Sequence, residues 1–177
     1  HLICISNKTK KDLMEIYNIP EDKISVIYLG SDHIISDKAF PSQKIEKPFL
    51  MFIGSRKKYK NFISLLRCIS ISEKIRNNFD LVLFGGEKIS FQEKKIINNL
   101  KLEPMNIIHE IGDDNKLSNL LINSTCFVFP SLEEGFGLPI LESMRNNCPV
   151  ICSDIEVFRE VADDCAEYFN PLDIENM

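Results

Sequence analysis

The chain has 177 residues, of which 44% are hydrophobic and 27% are charged, which is enough for one well-cored domain but short for two. Its formal net charge of −5 argues against a nucleic-acid-binding domain, because such domains are usually basic. No apolar run approaches the ~20 residues of a membrane-spanning helix, and the first residues lack the basic start of a signal peptide. The sequence therefore predicts no integral membrane segment.

Strands and helices alternate along the chain. Short apolar runs predict strands at residues 3–5, 24–28, 49–53, 81–84, 106–109, 126–129 and 150–152. Periodicity and capping residues predict six helices. Two have both bounds, 6–17 and 91–100, and the other four begin at Asn61, after an Asp114 cap, after Pro139 and after an Asp154 cap. Residues 31–48 are predicted to be a connection. Continuous apolar strands alternating with helices form a parallel sheet. The predicted fold is α/β, a Rossmann-like doubly wound parallel sheet with helices on both faces.

The six cysteines are scattered, and none forms a C-x-x-C pair. Cys4, Cys126 and Cys152 lie within apolar runs, which indicates reduced core residues of a cytoplasmic protein. His33 and His109 have no partner at the spacing of metal ligands. We therefore expect no metal site, and a cytoplasmic location that includes the membrane face.

A glycine loop follows the strand predicted at 126–129. Glu134 precedes its glycines and Glu142 lies on the helix that Pro139 opens. A strand, a glycine loop and a helix N-terminus together can bind an anion through free backbone N–H groups. A carboxylate inside the helix can accept hydrogen bonds from ribose hydroxyls. The alternative is that both glutamates are solvated or capping residues.

Four cations, at positions 56, 57, 58 and 60, follow the strand that ends at Ile53 and precede a predicted helix. Positive charge at a helix N-terminus opposes the helix dipole, so this arrangement favours a polyanionic ligand over stability. The alternative is a solvated charged surface. Gly54, Gly85 and Gly112 also follow predicted strands, at the carboxyl ends where parallel sheets bind their ligands.

The loop resembles the E-x7-E signature of retaining glycosyltransferases of family 4. The matching residues are Pro130-Ser131, Glu134-Gly135-Phe136-Gly137-Leu138-Pro139, Leu141-Glu142 and Met144, with further matches at 149–151, 160–161 and 170–173. Family members have the GT-B fold, two Rossmann-like domains with the sugar nucleotide bound in the C-terminal one. Asn147 replaces a glycine of the family pattern, and we expect it to keep the left-handed turn. Lys60 and its neighbours resemble the family's arginine–lysine pair in the form G-S-R-x-x-Y-K-N.

This resemblance implies roles for individual residues. Arg56 and Lys60 would hold the donor diphosphate and, with Glu134, act in catalysis; Glu142 would bind the ribose. Lys57 and Lys58 have no family counterpart and should be solvated. The nucleotide would also contact Gly135, Phe136, Gly137, Leu138, Gly54, Gly85 and Gly112. No cofactor is implied beyond the donor substrate, a GDP- or UDP-hexose.

The resemblance also implies a domain organisation. Residues 1–30 match the end of an N-terminal domain and the interdomain link, which Asp32 and His33 after Gly30 help to locate. Residues 31–177 match a C-terminal nucleotide-sugar-binding domain that stops before its terminal helices. The chain is then one half of a GT-B glycosyltransferase of surface polysaccharide synthesis. A glycan or lipid-linked acceptor would bind through the missing N-terminal domain, so this half should bind without catalysing.

Two other classes of function stay open. One is a GT-B enzyme with different chemistry, an epimerase or a phosphorylase. The first lacks the E-x7-E loop paired with the cation cluster, and the second needs a pyridoxal lysine for which no context is evident. The other is a non-catalytic α/β interaction module. Intact Arg56, Lys60, Glu134 and Glu142 argue against that module, because the fold alone does not require these residue types.

Overall fold

The computed structural model describes residues 1–31 and 45–177, so Asp32 and His33 and most of the predicted connection lie outside the described residues. The strands in the described part are β1 Leu2–Cys4, β2 Ile24–Val26, β3 Phe49–Ile53, β4 Asp80–Phe84, β5 Ile107–Glu110, β6 Cys126–Phe129, β7 Val150–Ser153 and β8 Glu167–Phe169. Six of them form one parallel sheet in the order β5-β4-β3-β6-β7-β8, while β1 and β2 form a separate parallel pair. The strand order reverses between β3 and β6, where such sheets open a crevice for ligands.

Helices cover both faces of the large sheet. They are α2 Phe62–Ile71, α3 Glu73–Asn78, α4 Phe91–Asn99, α5 Asp114–Asn123, α6 Leu138–Arg145 and α7 Glu156–Ala162, while α1 Asn7–Tyr17 packs on the β1–β2 pair and on α7. Every residue of β3 is buried, because alternate side chains enter two cores. Met51 packs with residues of α5, α6 and α7, and Phe52 packs with residues of α2. The predicted doubly wound α/β fold is confirmed.

Several local predictions are also confirmed. Phe62, Leu65, Leu66 and Ile69 form the buried stripe of α2. Asn147 adopts the left-handed conformation, with φ 54°, just beyond the end of α6. Cys4, Cys126 and Cys152 are free and buried, and burial raises the pKa of the Cys126 and Cys152 thiols to about 12. Such thiols stay protonated and unreactive at neutral pH.

Two predicted helix caps are wrong by one residue. The cap of α5 is Asp113, whose extended backbone lets its side chain accept a hydrogen bond from Lys116 N, whereas Asp114 is already helical. The cap position of α7 is Ile155, which offers no side-chain bond. Asp154 instead forms a two-point ion pair with Arg159, at 2.7 and 2.9 Å. This arginine therefore occupies the carboxylate that was expected to cap the helix.

Asn61 lies at the start of α2 as predicted, but it does not cap the helix through its side chain. Its backbone is left-handed, with φ 55°, and its side-chain amide donates to the Pro171 carbonyl at 2.9 Å. This bond ties the beginning of α2 to the last residues of the chain. Asn61 thus fixes the direction in which the chain leaves the preceding cation cluster.

No helix of the described residues is long and apolar enough to cross a membrane. Among the same residues, no group of three or more His, Cys, Asp and Glu side chains could hold a metal ion.

Candidate active site

Hydrogen bonds from glycine turns join the carboxyl ends of β3, β4 and β5. Gly54 N donates to Phe84 O at 2.8 Å, and Gly85 N donates to Glu110 O at 2.9 Å. Gly86 has φ +68°, and a Cβ there would lie 2.8 Å from the Gly54 carbonyl oxygen. Only glycine therefore allows these two turns to approach so closely. The close approach fixes the carboxyl ends of β3 and β4 beside the cation cluster.

Lys60 and Glu134 meet beside Phe129, the last residue of β6. Lys60 ends a short 3-10 turn after β3, and its Nζ lies 2.6 Å from Glu134 Oε1. Their side chains are only 12% and 15% exposed, and the ammonium also lies 4.8 Å from the centre of the Phe129 ring. Glu134 Oε1 is buried, and Lys60 is the cation that it faces within the described chain. Two residues predicted for one site are thus brought together.

Arg56 turns toward a different carboxylate. Its side chain is 4% exposed, and its Nε lies 2.6 Å from Glu93 Oε1 on α4. A second nitrogen, Nη2, donates to the Glu87 carbonyl. The third, Nη1, is buried and has no hydrogen-bond partner among the described residues. Arg56 and Lys60, predicted as one pair, therefore engage separate partners, and only Nη1 of Arg56 is uncommitted.

Glu93 is itself fixed at the start of α4. Its carboxylate accepts a hydrogen bond from Ser90 N at 2.7 Å, and its own N–H donates to Ser90 Oγ at 3.2 Å, which is a capping box. Burial alone would raise the pKa of Glu93, but the hydrogen bonds from Arg56 and Ser90 outweigh it and hold the pKa below its ordinary value. Glu93 therefore stays ionised and anchors Arg56.

Lys57 and Lys58 are exposed, as expected. Together with Arg56, Gly86 and Lys88 they line an open groove between the beginnings of α2 and α4. This groove lies beside β4, away from the Lys60–Glu134 pair beside β6.

The glycine loop runs directly into α6. Gly137 is the residue before the helix, with φ +110°, and a Cβ there would lie 3.1 Å from the Phe158 ring. Leu138 and Pro139 form the first turn, so the predicted role of the proline is confirmed. Phe136 is 5% exposed and its ring centre lies 6.2 Å from that of Tyr28. The glycine loop is therefore held in place by contacts of Gly137 with Phe158 and of Phe136 with Tyr28.

Glu142 lies on α6, and it lines a small pocket between α5 and α6 with Asp114 and Arg145. This places it on the helix as predicted. Gly112 precedes α5, and a Cβ there would crowd the Lys116 side chain at 2.6 Å.

Sequence reasoning missed three contributors to this site. Glu87 and Glu93 bind Arg56, and Ser6 binds the Gly135 carbonyl at 2.7 Å. The Ser90-x-x-Glu93 spacing is a recognisable capping box, so the sequence did indicate a fixed carboxylate there. Nothing in the sequence indicates that Ser6 reaches a loop so distant along the chain.

Known proteins show a consistent similarity to this chain. It is 31% identical over 177 residues to the O-antigen chain mannosyltransferase RfbU of Salmonella typhimurium, covering 98% of this chain and 47% of that protein. It is 26% identical to the O-antigen chain mannosyltransferase B of Escherichia coli, covering 98% of this chain and 48% of that protein. The chain thus spans about half the length of these curated relatives.

Solved glycosyltransferase structures share the fold, which is the GT-B type. A glycosyltransferase from Rickettsia africae superposes with a TM-score of 0.79 at 24% identity, over 98% of this chain and 50% of that one. WaaG, a glycosyltransferase involved in lipopolysaccharide biosynthesis, gives a TM-score of 0.75 at 18% identity, over 95% of this chain and 48% of that one. The sequence pattern of the family described as Glycosyl transferases group 1 matches residues 35–169. The chain belongs to that family.

Proposed function

We propose that the chain is the donor-binding half of a retaining, family 4 glycosyltransferase. It would move a hexose from a nucleotide diphosphate sugar to a glycan or lipid-linked acceptor in surface polysaccharide synthesis, in the cytoplasm or at its membrane face. The observation that carries the proposal is the close Lys60–Glu134 pair, which places a cation against the glycine loop at the switch point of the sheet. Similarity to O-antigen mannosyltransferases supports a role in surface polysaccharide synthesis and favours mannose as the first sugar to test.

Lys60 would bind the donor diphosphate. Without donor, Lys60 and Glu134 neutralise each other at 2.6 Å. A diphosphate carries more negative charge than one carboxylate, so it would attract the ammonium away from Glu134. That exchange would place a cation where charge develops on the leaving nucleotide, which is the electrostatic help that a metal ion otherwise gives.

Glu134 would then be available for the sugar or for the departing phosphate. Its Oε1 is buried against the Lys60 ammonium, so a sugar hydroxyl could donate to it once that ammonium has moved to the diphosphate. The loop residues Gly135, Phe136, Gly137 and Leu138 would present the N-terminus of α6 to the diphosphate.

Arg56 would support the same diphosphate from the other side of the β3 turn. Its ion pair with Glu93 need not break, because Nη1 has no hydrogen-bond partner in the described chain, but this buried nitrogen would have to be uncovered to reach the diphosphate. Glu142 would bind the ribose, and the glycine turns at Gly54, Gly85 and Gly112 would frame the nucleotide. Residues 1–30 would be the end of an acceptor-binding domain and its link, and residues 31–177 the donor domain.

The experiment measures binding and transfer separately. Titration of GDP, UDP and ADP into the chain, by calorimetry or ligand-observed NMR, should give dissociation constants in roughly the micromolar to millimolar range. Binding should survive EDTA, because the charges on the diphosphate are met by side chains. GDP-mannose and UDP-glucose should bind without being transferred, since the acceptor must be held by the opposite half. Absence of binding to every nucleotide, loss of binding in EDTA, or efficient transfer by this chain alone would overturn the proposal.

A further inference from the structure

The first turn of α1 holds the glycine loop by its backbone. Ser6 is completely buried, and its extended backbone makes it the N-cap of α1, where Oγ accepts a hydrogen bond from Thr9 N at 3.0 Å. The same oxygen lies 2.7 Å from the Gly135 carbonyl oxygen. Thr9 Oγ1 lies 3.3 Å from that carbonyl and 2.9 Å from Ser6 Oγ. Two hydroxyls therefore converge on one carbonyl.

The number of hydroxyl protons decides which groups in this cluster donate and which accept. A carbonyl oxygen can only accept, so at least one hydroxyl must donate to Gly135. The Ser6 hydroxyl has one proton, and the 2.7 Å distance favours its use on the carbonyl. Thr9 can then donate to Ser6 Oγ or to the carbonyl itself. In either arrangement the peptide between Gly135 and Phe136 is fixed from α1.

The start of α1 is anchored independently of the loop. The Glu160 carboxylate on α7 accepts from Asn7 N at 2.6 Å, from Asn7 Nδ2 at 2.9 Å and from Lys8 N at 3.2 Å. A carboxylate at a helix N-terminus also interacts favourably with the helix dipole. Ser6 therefore acts on Gly135 from a fixed support.

We propose that Ser6, assisted by Thr9, is a positioning residue for the glycine loop. By fixing the Gly135 carbonyl, it sets the direction of the adjacent Glu134 side chain toward Lys60. This inference rests on the proposed function only in giving Glu134 a role toward the donor sugar. Ser6 does not contact the ligand, so it acts through the loop.

The test compares Ser6→Ala with Ser6→Thr and with a matched control. Ser72→Ala removes the same type of N-cap from α3, where Ser72 Oγ accepts from Ile75 N at 3.4 Å. Hydrogen–deuterium exchange of residues 134–137 should accelerate on the order of tenfold in Ser6→Ala, as expected for losing one hydrogen bond. It should stay near the wild-type rate in Ser6→Thr and in Ser72→Ala.

A second measurement links the loop to the donor. In Ser6→Ala, affinity for GDP-mannose should fall by about fivefold more than affinity for GDP, because Glu134 serves the sugar. A merely structural serine would lower both affinities equally. Should Ser6→Ala fail to fold, Thr9→Val removes one hydroxyl while leaving the Ser6 cap, and a smaller acceleration over 134–137 is expected.

These outcomes separate the two proposals. If Ser6→Ala, or Thr9→Val in its place, leaves exchange over 134–137 unchanged, the positioning role is overturned whatever the ligand does. If loop exchange accelerates but the wild-type chain binds no nucleotide, the loop is positioned as inferred and the proposed donor function is what fails. Equal losses for GDP and GDP-mannose would overturn the connection from Ser6 to Glu134.

Discussion

Arg56 and Lys60 follow the same strand, four positions apart, yet they occupy different environments. Arg56 is 4% exposed, with Nε on Glu93 and Nη2 on the Glu87 carbonyl. Lys60 is 12% exposed, and its ammonium faces the Phe129 ring and one carboxylate, that of Glu134. The first cation is held by two partners that belong to the β4–α4 region. The second faces the loop proposed to bind the donor.

This difference shows how a run of cations can divide its tasks. A planar guanidinium offers several donors, so Arg56 can join two strand ends and still keep one nitrogen uncommitted. A lysine ammonium is a compact charge on a flexible stem, and it can exchange one anion for another with little rearrangement. We therefore expect Arg56 to contribute mainly to stability and Lys60 mainly to binding.

The largest expected effect is on folding. Arg56→Ala removes two hydrogen bonds and leaves the Glu93 carboxylate largely buried beside no cation, so the free energy of unfolding should fall by about 3 kcal/mol. Denaturant unfolding measures this change. Arg67→Ala, an exposed arginine on α2, is the matched control and should change stability by less than about 0.5 kcal/mol. Equal stability of the two variants would show that Arg56 does not anchor the fold.

Lys60→Ala should mainly lower the affinity for the nucleotide, whereas Arg56→Ala mainly lowers stability. The stability of Lys60→Ala should fall less than that of Arg56→Ala, by about 1–2 kcal/mol, because the largely buried Glu134 also loses its cation but Lys60 contacts one polar partner where Arg56 contacts two. Affinity for GDP or UDP should fall by about 1.5–3 kcal/mol, the range for hydrogen bonds to charged groups. Calorimetry of Lys60→Ala beside Lys57→Ala provides the comparison, because Lys57 is exposed and should lose little. Similar affinities for both variants would remove Lys60 from the site.

Glu134 in the loop and Glu142 on α6 are expected to bind different parts of the donor. Glu142→Gln should weaken GDP and GDP-mannose alike, by roughly tenfold, because a ribose contact is shared by both ligands. Glu134→Gln should spare GDP and weaken only GDP-mannose, because its proposed partner in the bound donor is the sugar, which GDP lacks. Parallel titrations of both ligands into both variants measure this. If Glu134→Gln weakens GDP as strongly as Glu142→Gln does, the division of roles is wrong.

Most of the fold could be predicted from the sequence because the central strands are buried on both faces. Continuous apolar runs such as 49–53 and 126–129 can hardly be anything but inner strands of a parallel sheet once helices alternate with them. Strand β8, Glu167–Phe169, was missed because its three residues give neither an apolar run nor a period. The α5 cap was missed by one position because the adjacent aspartates 113 and 114 differ only in backbone conformation, and the α7 cap was missed because Asp154 pairs with Arg159 instead.

The candidate site was only partly predictable. The resemblance grouped Lys60 with Glu134, and the structure brings them into contact. It also grouped Arg56 with Lys60, but the direction of the Arg56 side chain depends on Glu93, which the Gly85–Gly86 turn and the α4 capping box bring alongside. The Ser6 contact with Gly135 depends on how α1 docks on α7. Such contacts follow from tertiary packing, which no local pattern contains.

The smallest predicted effect is on the pH dependence of stability, and it concerns the Arg56–Glu93 ion pair. The Glu93 pKa is lower in the folded chain than its ordinary value of 4.5, so its ionised form stabilises the fold above that value and the contribution is lost as pH falls through the folded pKa. Stability measured from pH 7 down to pH 3.5 should therefore decline less steeply in Glu93→Gln than in the wild type. Glu167→Gln, an exposed residue of β8, should follow the wild-type curve. The decline should also be shallower in Arg56→Ala, because without the guanidinium the Glu93 pKa loses the interaction that lowers it most. If the stability of Glu93→Gln declines with pH in parallel with the wild type, the charge of Glu93 does not stabilise the fold through Arg56. Arg56 would then lack the structural role that distinguishes it from the ligand-binding Lys60.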